Sequence, residues 1–282
     1  MINVALLTWR EMSRRNFFLG AAAATAALIA VTGWGFWYLA RIHTARGTPV
    51  THLEVLSMSA VLVILISYLF NFLLAVAAVF LAAPSLANDI ESGVLLPVLT
   101  RPISRVAIFS GKAIALAVII ALYAFLTGAC EFVVIRAATG YVPPHPAQAV
   151  GFLTLSGLVM MALALLLSTR MAALAASIVS VGLFIIARLG STAQSLGIHF
   201  DNATATHAGT LSQLLLPSDA MWQAALFNLE PESMVAAMSN SHAWAGPFFT
   251  TAPPPLAMFA WSAAWIVVIA AFAARSFALR DF

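Results

Sequence analysis

Nineteen residues in the middle of the chain read AVGFLTLSGLVMMALALLL, from Ala149 to Leu167, without one charged side chain. Roughly 20 apolar residues are enough for a helix to cross the hydrocarbon core of a bilayer. Because that core offers no water to the backbone polar groups, only helices and closed barrels can span it. The stretch therefore predicts a membrane-spanning helix.

The whole chain shares the apolar character of this stretch. Of its 282 residues, 62% are hydrophobic and 8% are charged, and the mean hydropathy is +0.99. Soluble domains contain about 45–50% apolar and about 25% charged residues, so the composition excludes a soluble enzyme. The net charge of +3 is small and gives no indication of nucleic-acid binding. The lone Cys130 excludes a disulfide framework or a cysteine-based metal site within one chain.

Five further runs have a comparable length and apolar character. The six predicted spans are Phe17–Ala40, Ser59–Ala83, Ala113–Ile135, Ala149–Leu167, Met171–Leu189 and Leu256–Ala274. The longest polar connection covers residues 190–255, and no separate soluble domain is expected. We therefore expect an all-α, polytopic membrane protein with one transmembrane domain, residues 1–282.

The arginines and lysines predict the orientation of these spans. With the N-terminus inside, nine basic residues lie on the inner side and four on the outer side. The inner set is Arg10, Arg14, Arg15, Arg101, Arg105, Lys112, Arg170, Arg275 and Arg280, and the outer set is Arg41, Arg46, Arg136 and Arg188. The positive-inside rule then places both termini in the cytoplasm, as in a multi-pass protein of the cytoplasmic (inner) membrane, and makes residues 190–255 extracytoplasmic.

The first sixteen residues show helical spacing of Ile2, Leu6, Trp9 and Ser13, with Arg10 and Arg14 four apart. This pattern predicts a short helix in the inner membrane interface, with Trp9 at the level of the headgroups. A frayed tail with a basic end is equally compatible with it.

The connection between the second and third spans, residues 84–112, is the most informative polar segment. It opens with the acids Asp89 and Glu91 and closes with three bases. Leu95 and Leu99 have the spacing of one helical face, and a proline ends that helix. Ser104 is placed to cap the following helix. We expect an amphipathic helix on the cytoplasmic side that can dock into the groove of a partner.

This connection resembles the signature of ABC-2-type permeases, the six-span membrane subunits of ATP-binding-cassette transporters. The resemblance is carried by Asp89, Glu91, Gly93, Leu95, Leu99, Arg101, Pro102, Ser104, Arg105 and Lys112. The C-terminal residues Phe277–Phe282 also resemble the closing aromatic-Arg-Asp-apolar tail of that family. Pro97 departs from the family pattern, since a helix former is usual there, and residues 168–170 leave the second inner loop very short.

The resemblance implies a function for the chain and for these residues. The segment between spans two and three would form a coupling helix that seats in a soluble ABC ATPase subunit. A second permease copy or a paralogue would complete a dimer, and the substrate would be exported or extracted from the bilayer. The chain has no G-x-x-x-x-G-K-[ST] sequence, since Ala113 follows Gly111-Lys112. It is therefore expected to be a transport subunit and not an enzyme, with no cofactor of its own and ATP-Mg held by the partner.

Three polar residues within the spans are candidates for a substrate path. Glu131 is the one acid deep in a span, and such a residue is a functional candidate. We expect it to pair with Arg188, with Arg136 as the other partner, whereas a proton relay is the functional alternative. Asn71, one turn after Tyr68, could face a substrate or bond to a neighbouring helix. An ion-coupled carrier or an intramembrane enzyme is the alternative to the transport subunit.

The segment before the last span contains Leu216-Pro217-Ser218-Asp219, followed by a helical pattern with Trp222 and Leu226 four apart. Ser218 or Asp219 is expected to cap that helix. The pattern faintly resembles permeases that help to mature the copper enzyme reducing nitrous oxide. Six histidines match no metal-binding spacing and are expected to be solvated loop residues. The outer segment could also meet an extracytoplasmic accessory protein.

Overall fold

The computed structural model describes residues 16–39, 41, 52–91, 104–232, 235–236, 248–250 and 252–280. Within these residues the chain folds into eight α-helices and no strand, which confirms the all-α class. The helices are α1 (Asn16–Leu39), α2 (His52–Glu91), α3 (Arg105–Thr139), α4 (Pro146–Ser168), α5 (Ala173–His199), α6 (Ala203–Leu215), α7 (Ser218–Leu229) and α8 (Leu256–Ala278).

Five helices of the described part, α2, α3, α4, α5 and α8, are long and apolar enough to cross a membrane. They coincide with the last five predicted spans, so a multi-pass membrane protein is confirmed. The first predicted span falls on α1, a helix of 24 residues, and its crossing of the bilayer stays a prediction. The interfacial helix expected in residues 1–15 and the coupling helix expected in residues 92–103 lie outside the described residues.

Helices α2 and α3 are longer than the predicted spans, with 40 and 35 residues. Helix α2 continues through Pro84 to Glu91, and α3 already begins at Arg105. The apolar pattern ends earlier, but Leu86 on α2 and Ile108 on α3 are buried. Tertiary packing therefore sustains both helices beyond the apolar run.

Capping residues in the sequence determine both ends of α3 and the start of α4. Ser104 accepts a hydrogen bond from Ala107 N at 3.2 Å, which confirms the predicted cap. Gly140 closes α3 in the left-handed conformation, with φ of 75°, where a glycine avoids the clash of a Cβ. Pro146 occupies the first turn of α4, where its missing N–H costs no helical hydrogen bond.

Helix α4 is the centre of the bundle. It packs against α2, α3, α5, α7 and α8, and most of its apolar stretch is buried. Among its residues, Val159, Met160 and Ala164 are fully enclosed. The charge-free stretch Ala149–Leu167 is thus mainly a protein core, while α8 presents most of its surface outward.

Helices α5 and α6 form a tight antiparallel hairpin. The chain reverses at Asp201, with φ of 52°, and Asn202 Oδ1 caps α6 by accepting from Ala205 N at 3.1 Å. A Cβ added to Gly209 of α6 would lie 2.6 Å from the backbone oxygen of Gly190. The two backbones therefore approach so closely that glycine is required at the contact.

Candidate functional site

Five of the ten residues expected to couple the chain to an ATPase are described: Asp89, Glu91, Ser104, Arg105 and Lys112. The other five, Gly93, Leu95, Leu99, Arg101 and Pro102, lie outside the described residues. The described five sit at the end of α2 and the beginning of α3, so the two helices bring them to the same end of the bundle.

Lys112 and Asp89 bind each other within the chain. Their side chains form an ion pair between α3 and α2, and Lys112 Nζ also donates to the backbone oxygen of Ser85 at 2.7 Å. The Lys112 side chain is only 7% exposed. The pair therefore joins α2 to α3, whereas Glu91, two residues after Asp89, is exposed.

Arg105 connects the start of α3 to the C-terminal end of α8. Its Nη1 donates to the backbone oxygens of Ala278, at 3.2 Å, and Arg280. Arg280 Nη1 in turn donates to the backbone oxygen of Thr169, in the connection between α4 and α5. Thr169 Oγ1 lies 2.9 Å from Ser276 Oγ of α8. A closed circuit of polar contacts thus ties α3, α8 and the α4–α5 connection together.

We call this circuit the C-terminal clamp. It consists of Arg105, Thr169, Arg170, Ser276 and Arg280, and Arg170 takes part because its Nε donates to Ser276 Oγ at 3.0 Å. The sequence marked Arg280 as one of the inner basic residues and through the resemblance of the tail. Its role depends on the position of the α4–α5 connection, which sequence patterns do not specify.

Arg188 and Asp219 form an ion pair near the opposite end of the bundle. Arg188 Nη1 of α5 lies 2.7 Å from Asp219 Oδ1 of α7, and the two side chains are 12% and 3% exposed. The expected pairing of Arg188 with Glu131 is therefore wrong. The expected cap is wrong as well, because neither Ser218 nor Asp219 caps α7 with its side chain. Asp219 neutralises a cation of another helix instead.

Three aromatic rings surround the Arg188 guanidinium. Its carbon lies 4.8 Å from the ring centre of Tyr68, 5.4 Å from that of Phe184 and 5.5 Å from that of Trp222. The negative faces of such rings attract a cation, and more strongly when water is excluded. Tyr68, a predicted substrate-path residue, thus contacts Arg188 and links α2 to α5 and α7.

A chain of amide and hydroxyl groups extends from this ion pair. Gln223 Nε2 donates to Ser191 Oγ at 2.7 Å and lies 3.4 Å from Asp219 Oδ2. Gln213 Nε2 donates to Gln194 Oε1 at 2.7 Å. These bonds connect α5, α6 and α7, so the two short helices are fixed to the bundle by polar contacts as well as by packing.

The other two substrate-path candidates are buried, and each has at least one polar atom without a hydrogen-bond partner in the described part of the chain. Asn71 is 0% exposed, and neither atom of its amide has a hydrogen-bond partner in the described part of the chain. Glu131 is 2% exposed, and its Oε1 likewise has none there. The structure places Asn71 one turn from Tyr68 on α2, while Glu131 lies on α3. Arg136, the second expected partner of Glu131, is exposed.

Glu230 is a buried acid that the sequence analysis missed. It ends α7, is 3% exposed, and its Oε1 accepts a hydrogen bond from Thr250 N at 2.8 Å. Burial raises the pKa of Glu230 to about 8, although the Thr250 hydrogen bond acts in the opposite direction. An isolated acid after a short helix gives no sequence signal of this burial.

Glu230 should make the stability of the protein depend on pH. Because its pKa is raised from 4.5 to about 8 in the fold, the folded state holds a proton that the unfolded chain releases. Stability should therefore fall as the pH rises from about 5 to 8. We expect Glu230→Gln to reduce this slope in thermal unfolding curves, and the exposed Glu232→Gln to leave it unchanged. Equal slopes for the wild type and Glu230→Gln would contradict the expectation.

The comparisons with known proteins agree with the architecture. Residues 8–282 match the family model described as ABC-2 family transporter protein. A comparison with curated proteins found no match. The family match covers almost the whole chain, including α1 to α8 and both clusters described above. The apolar helices and this match together show that the chain belongs to the ABC-2 family of transporter proteins, whose members are membrane permeases of ABC transporters.

Proposed function

We propose that the chain is the transmembrane subunit of a transporter that moves its substrate across or out of the cytoplasmic membrane. A separate soluble ABC ATPase, holding ATP-Mg, supplies the energy, and two permease chains, identical or related, assemble around the path. The family membership supports the transport role. The remaining steps rest on the contacts at the two ends of the bundle.

The C-terminal clamp is the observation that carries the proposal. Movement of the segment between α2 and α3, caused by docking of the ATPase, would displace Arg105 at the start of α3. Arg105 is hydrogen-bonded to the end of α8, so α8 would move with it. Arg280 donates a hydrogen bond to Thr169, so the same movement is transmitted to the α4–α5 connection. Since the Lys112–Asp89 pair fixes α2 to α3 at the same end, one docking event can move α2, α3, α8 and the α4–α5 connection as a unit. Rigid-body motion of this kind is a usual form of domain switching.

The charges support the assignment of the clamp end to the cytoplasm. Arg105, Lys112, Arg170, Arg275 and Arg280 all lie at that end of the helices. An excess of basic residues marks the cytoplasmic side of membrane proteins. Both termini are then cytoplasmic, and α6 and α7 lie on the outer side, where an accessory protein could reach them.

The outward faces suit lipid and a second permease chain. Helix α8 exposes Val267, Val268 and Phe272, and α5 exposes Ile178 and Ile186. Apolar faces of spanning helices are stable against lipid or another apolar helix. In this arrangement Tyr68, Asn71 and Glu131 are the residues we assign to the substrate path inside each chain.

Reversing the charge of Glu91 tests the proposed docking. Glu91 is exposed beside the coupling segment and is not part of the Lys112–Asp89 pair. We expect Glu91→Lys to weaken binding of the soluble ATPase by about tenfold or more, because reversed charges at an interface cost several kcal/mol. Leu99→Asp should have a similar effect. The measurement is co-purification with the tagged chain, followed by mass spectrometry.

Glu232→Lys is the matched control, because this exposed acid lies at the opposite end of the bundle and undergoes the same charge change. It should retain the ATPase. The proposal fails if no ATPase accompanies the wild-type chain, or if Glu91→Lys and Leu99→Asp both retain it as the wild type does. Arg105 is unsuitable for this test, since its contacts with Ala278 and Arg280 stabilise the chain itself.

A further inference from the structure

Glu131 is a buried carboxylate that none of the cations considered for it reaches. Arg188 is engaged by Asp219 at 2.7 Å and enclosed by three rings, and Arg136 is exposed. Glu131 itself is 2% exposed, within a helix long and apolar enough to span the bilayer. Acids at such positions are costly and usually pair with a cation or mark a pathway.

Two close helix contacts define the surroundings of Glu131. Three residues before it, a Cβ on Gly128 would lie 2.7 Å from Val150 Cγ2 of α4. Three residues after it, Val134 Cγ1 lies 3.1 Å from the position of a Cβ on Gly33 of α1. Residues three apart share a helix face. Glu131 therefore lies on the face of α3 that α1 and α4 cover.

The cover of this face is mainly apolar, although Thr25 Oγ1 of α1 lies 2.6 Å from Tyr123 Oη of α3. Phe36, one turn after Gly33 on α1, is 0% exposed, and Ala149 at the start of α4 is also 0% exposed. Helix α1 packs on α3 and, to a lesser extent, on α2, whereas α4 is held from five sides. Movement of α1 away from α3 is thus the less costly way to open access to the carboxylate.

We propose that Glu131 is the anchoring residue for a cationic substrate, namely a protonated amine carried on an apolar body. The carboxylate supplies the counter-charge for the amine. The apolar residues of α1 and α4 contact the apolar part of the substrate. A charge-assisted hydrogen bond is strongest in such a dry environment. This inference rests on the proposed transport function, for which it names the class of substrate.

Binding of dansylcadaverine tests this proposal. This probe joins a primary amine to an aromatic group that becomes more fluorescent in apolar surroundings, and its N-acetyl derivative lacks the positive charge. With the purified full chain in lipid nanodiscs, we expect saturable binding of the amine, and binding of the acetylated form weaker by about tenfold or more. Glu131→Gln should weaken binding of the amine to the level of the acetylated probe, and Glu131→Asp should restore part of it.

Cys130→Ser is the control, since this neighbour of Glu131 is exposed and should leave binding of the probe unchanged. The inference is overturned if the wild type shows no saturable binding, if it binds both probes equally, or if Glu131→Gln binds the amine as tightly as the wild type. Size-exclusion profiles establish that each variant is folded. Co-purification of the ATPase with the wild type is scored separately, so failure of the proposed transport function is distinguishable from failure of amine binding.

Discussion

Arg188→Gln should destabilise the protein strongly, because it leaves Asp219 buried without its counter-charge. The Asp219 side chain is 3% exposed, and its Oδ1 lies 2.7 Å from Arg188 Nη1. Removing one partner of a buried ion pair costs about 3–5 kcal/mol. For a chain of this size we expect a fall in the melting temperature on the order of 10 °C. Thermal unfolding in detergent or nanodiscs provides the measurement.

A second substitution identifies the true partner of Arg188. Asp219→Asn in the Arg188→Gln background should recover most of the lost stability, because neither charge is then left unpaired. Glu131→Gln in the same background should recover none, since Glu131 is not the partner. Rescue by Glu131→Gln instead of Asp219→Asn would show that the ion pair of the structure is incorrect.

Replacing Gly209 by alanine should separate α6 from α5. The new Cβ would lie 2.3 Å from Gln194 Cβ, 2.6 Å from Gly190 O and 2.8 Å from Gln194 Cα. Two of these atoms belong to the backbone, so no change of rotamer relieves the clash. Overpacking of this kind costs about 1–3 kcal/mol, and Gly209→Val should cost more. A lower melting temperature and weaker protection of α6 in hydrogen exchange are the expected results.

Gly182 provides a control on α5, and Gly190 provides a second test of the close approach. Nothing lies within 4 Å of a Cβ on Gly182, so Gly182→Ala should be neutral or stabilising through its better helix propensity. A Cβ on Gly190 would instead meet Ser212 Oγ at 2.3 Å and Ser212 Cβ at 2.5 Å, and the Cβ cannot rotate away because the backbone fixes it. Gly190→Ala should therefore destabilise the α5–α6 contact as Gly209→Ala does. Equal stability of all three variants would contradict the close approach of the two helices.

The apolar pattern was sufficient to predict where five of the long helices lie. The prediction Ala149–Leu167 became α4, Pro146–Ser168, and the prediction Leu256–Ala274 became α8, Leu256–Ala278. This agreement has a local cause, because about 20 consecutive apolar residues can satisfy their backbone in a membrane only as a helix. The cap at Ser104 was predictable for the same reason, since its acceptor and donor are three residues apart.

The connection between α2 and α3 shows what a local sequence pattern can predict and what it cannot. Its resemblance to the ABC-2 signature indicated the family, which the match over residues 8–282 bears out. The same residues, taken as a coupling motif, did not indicate that Lys112 and Asp89 bind each other or that Arg105 holds the end of α8. Those contacts join segments far apart in the chain, and no spacing encodes them.

By itself the sequence determined the all-α class, the membrane-spanning helices and the family, because each depends on hydropathy or on a short motif. Only the tertiary structure decided the partners of the charged side chains. The sequence analysis paired Arg188 with Glu131, but the packing of α7 against α4 and α5 brought Asp219 to Arg188 and left Glu131 between α1 and α4. Long side chains pair across helices according to packing, which depends on shape complementarity over the whole bundle and not on the spacing of residues along the chain.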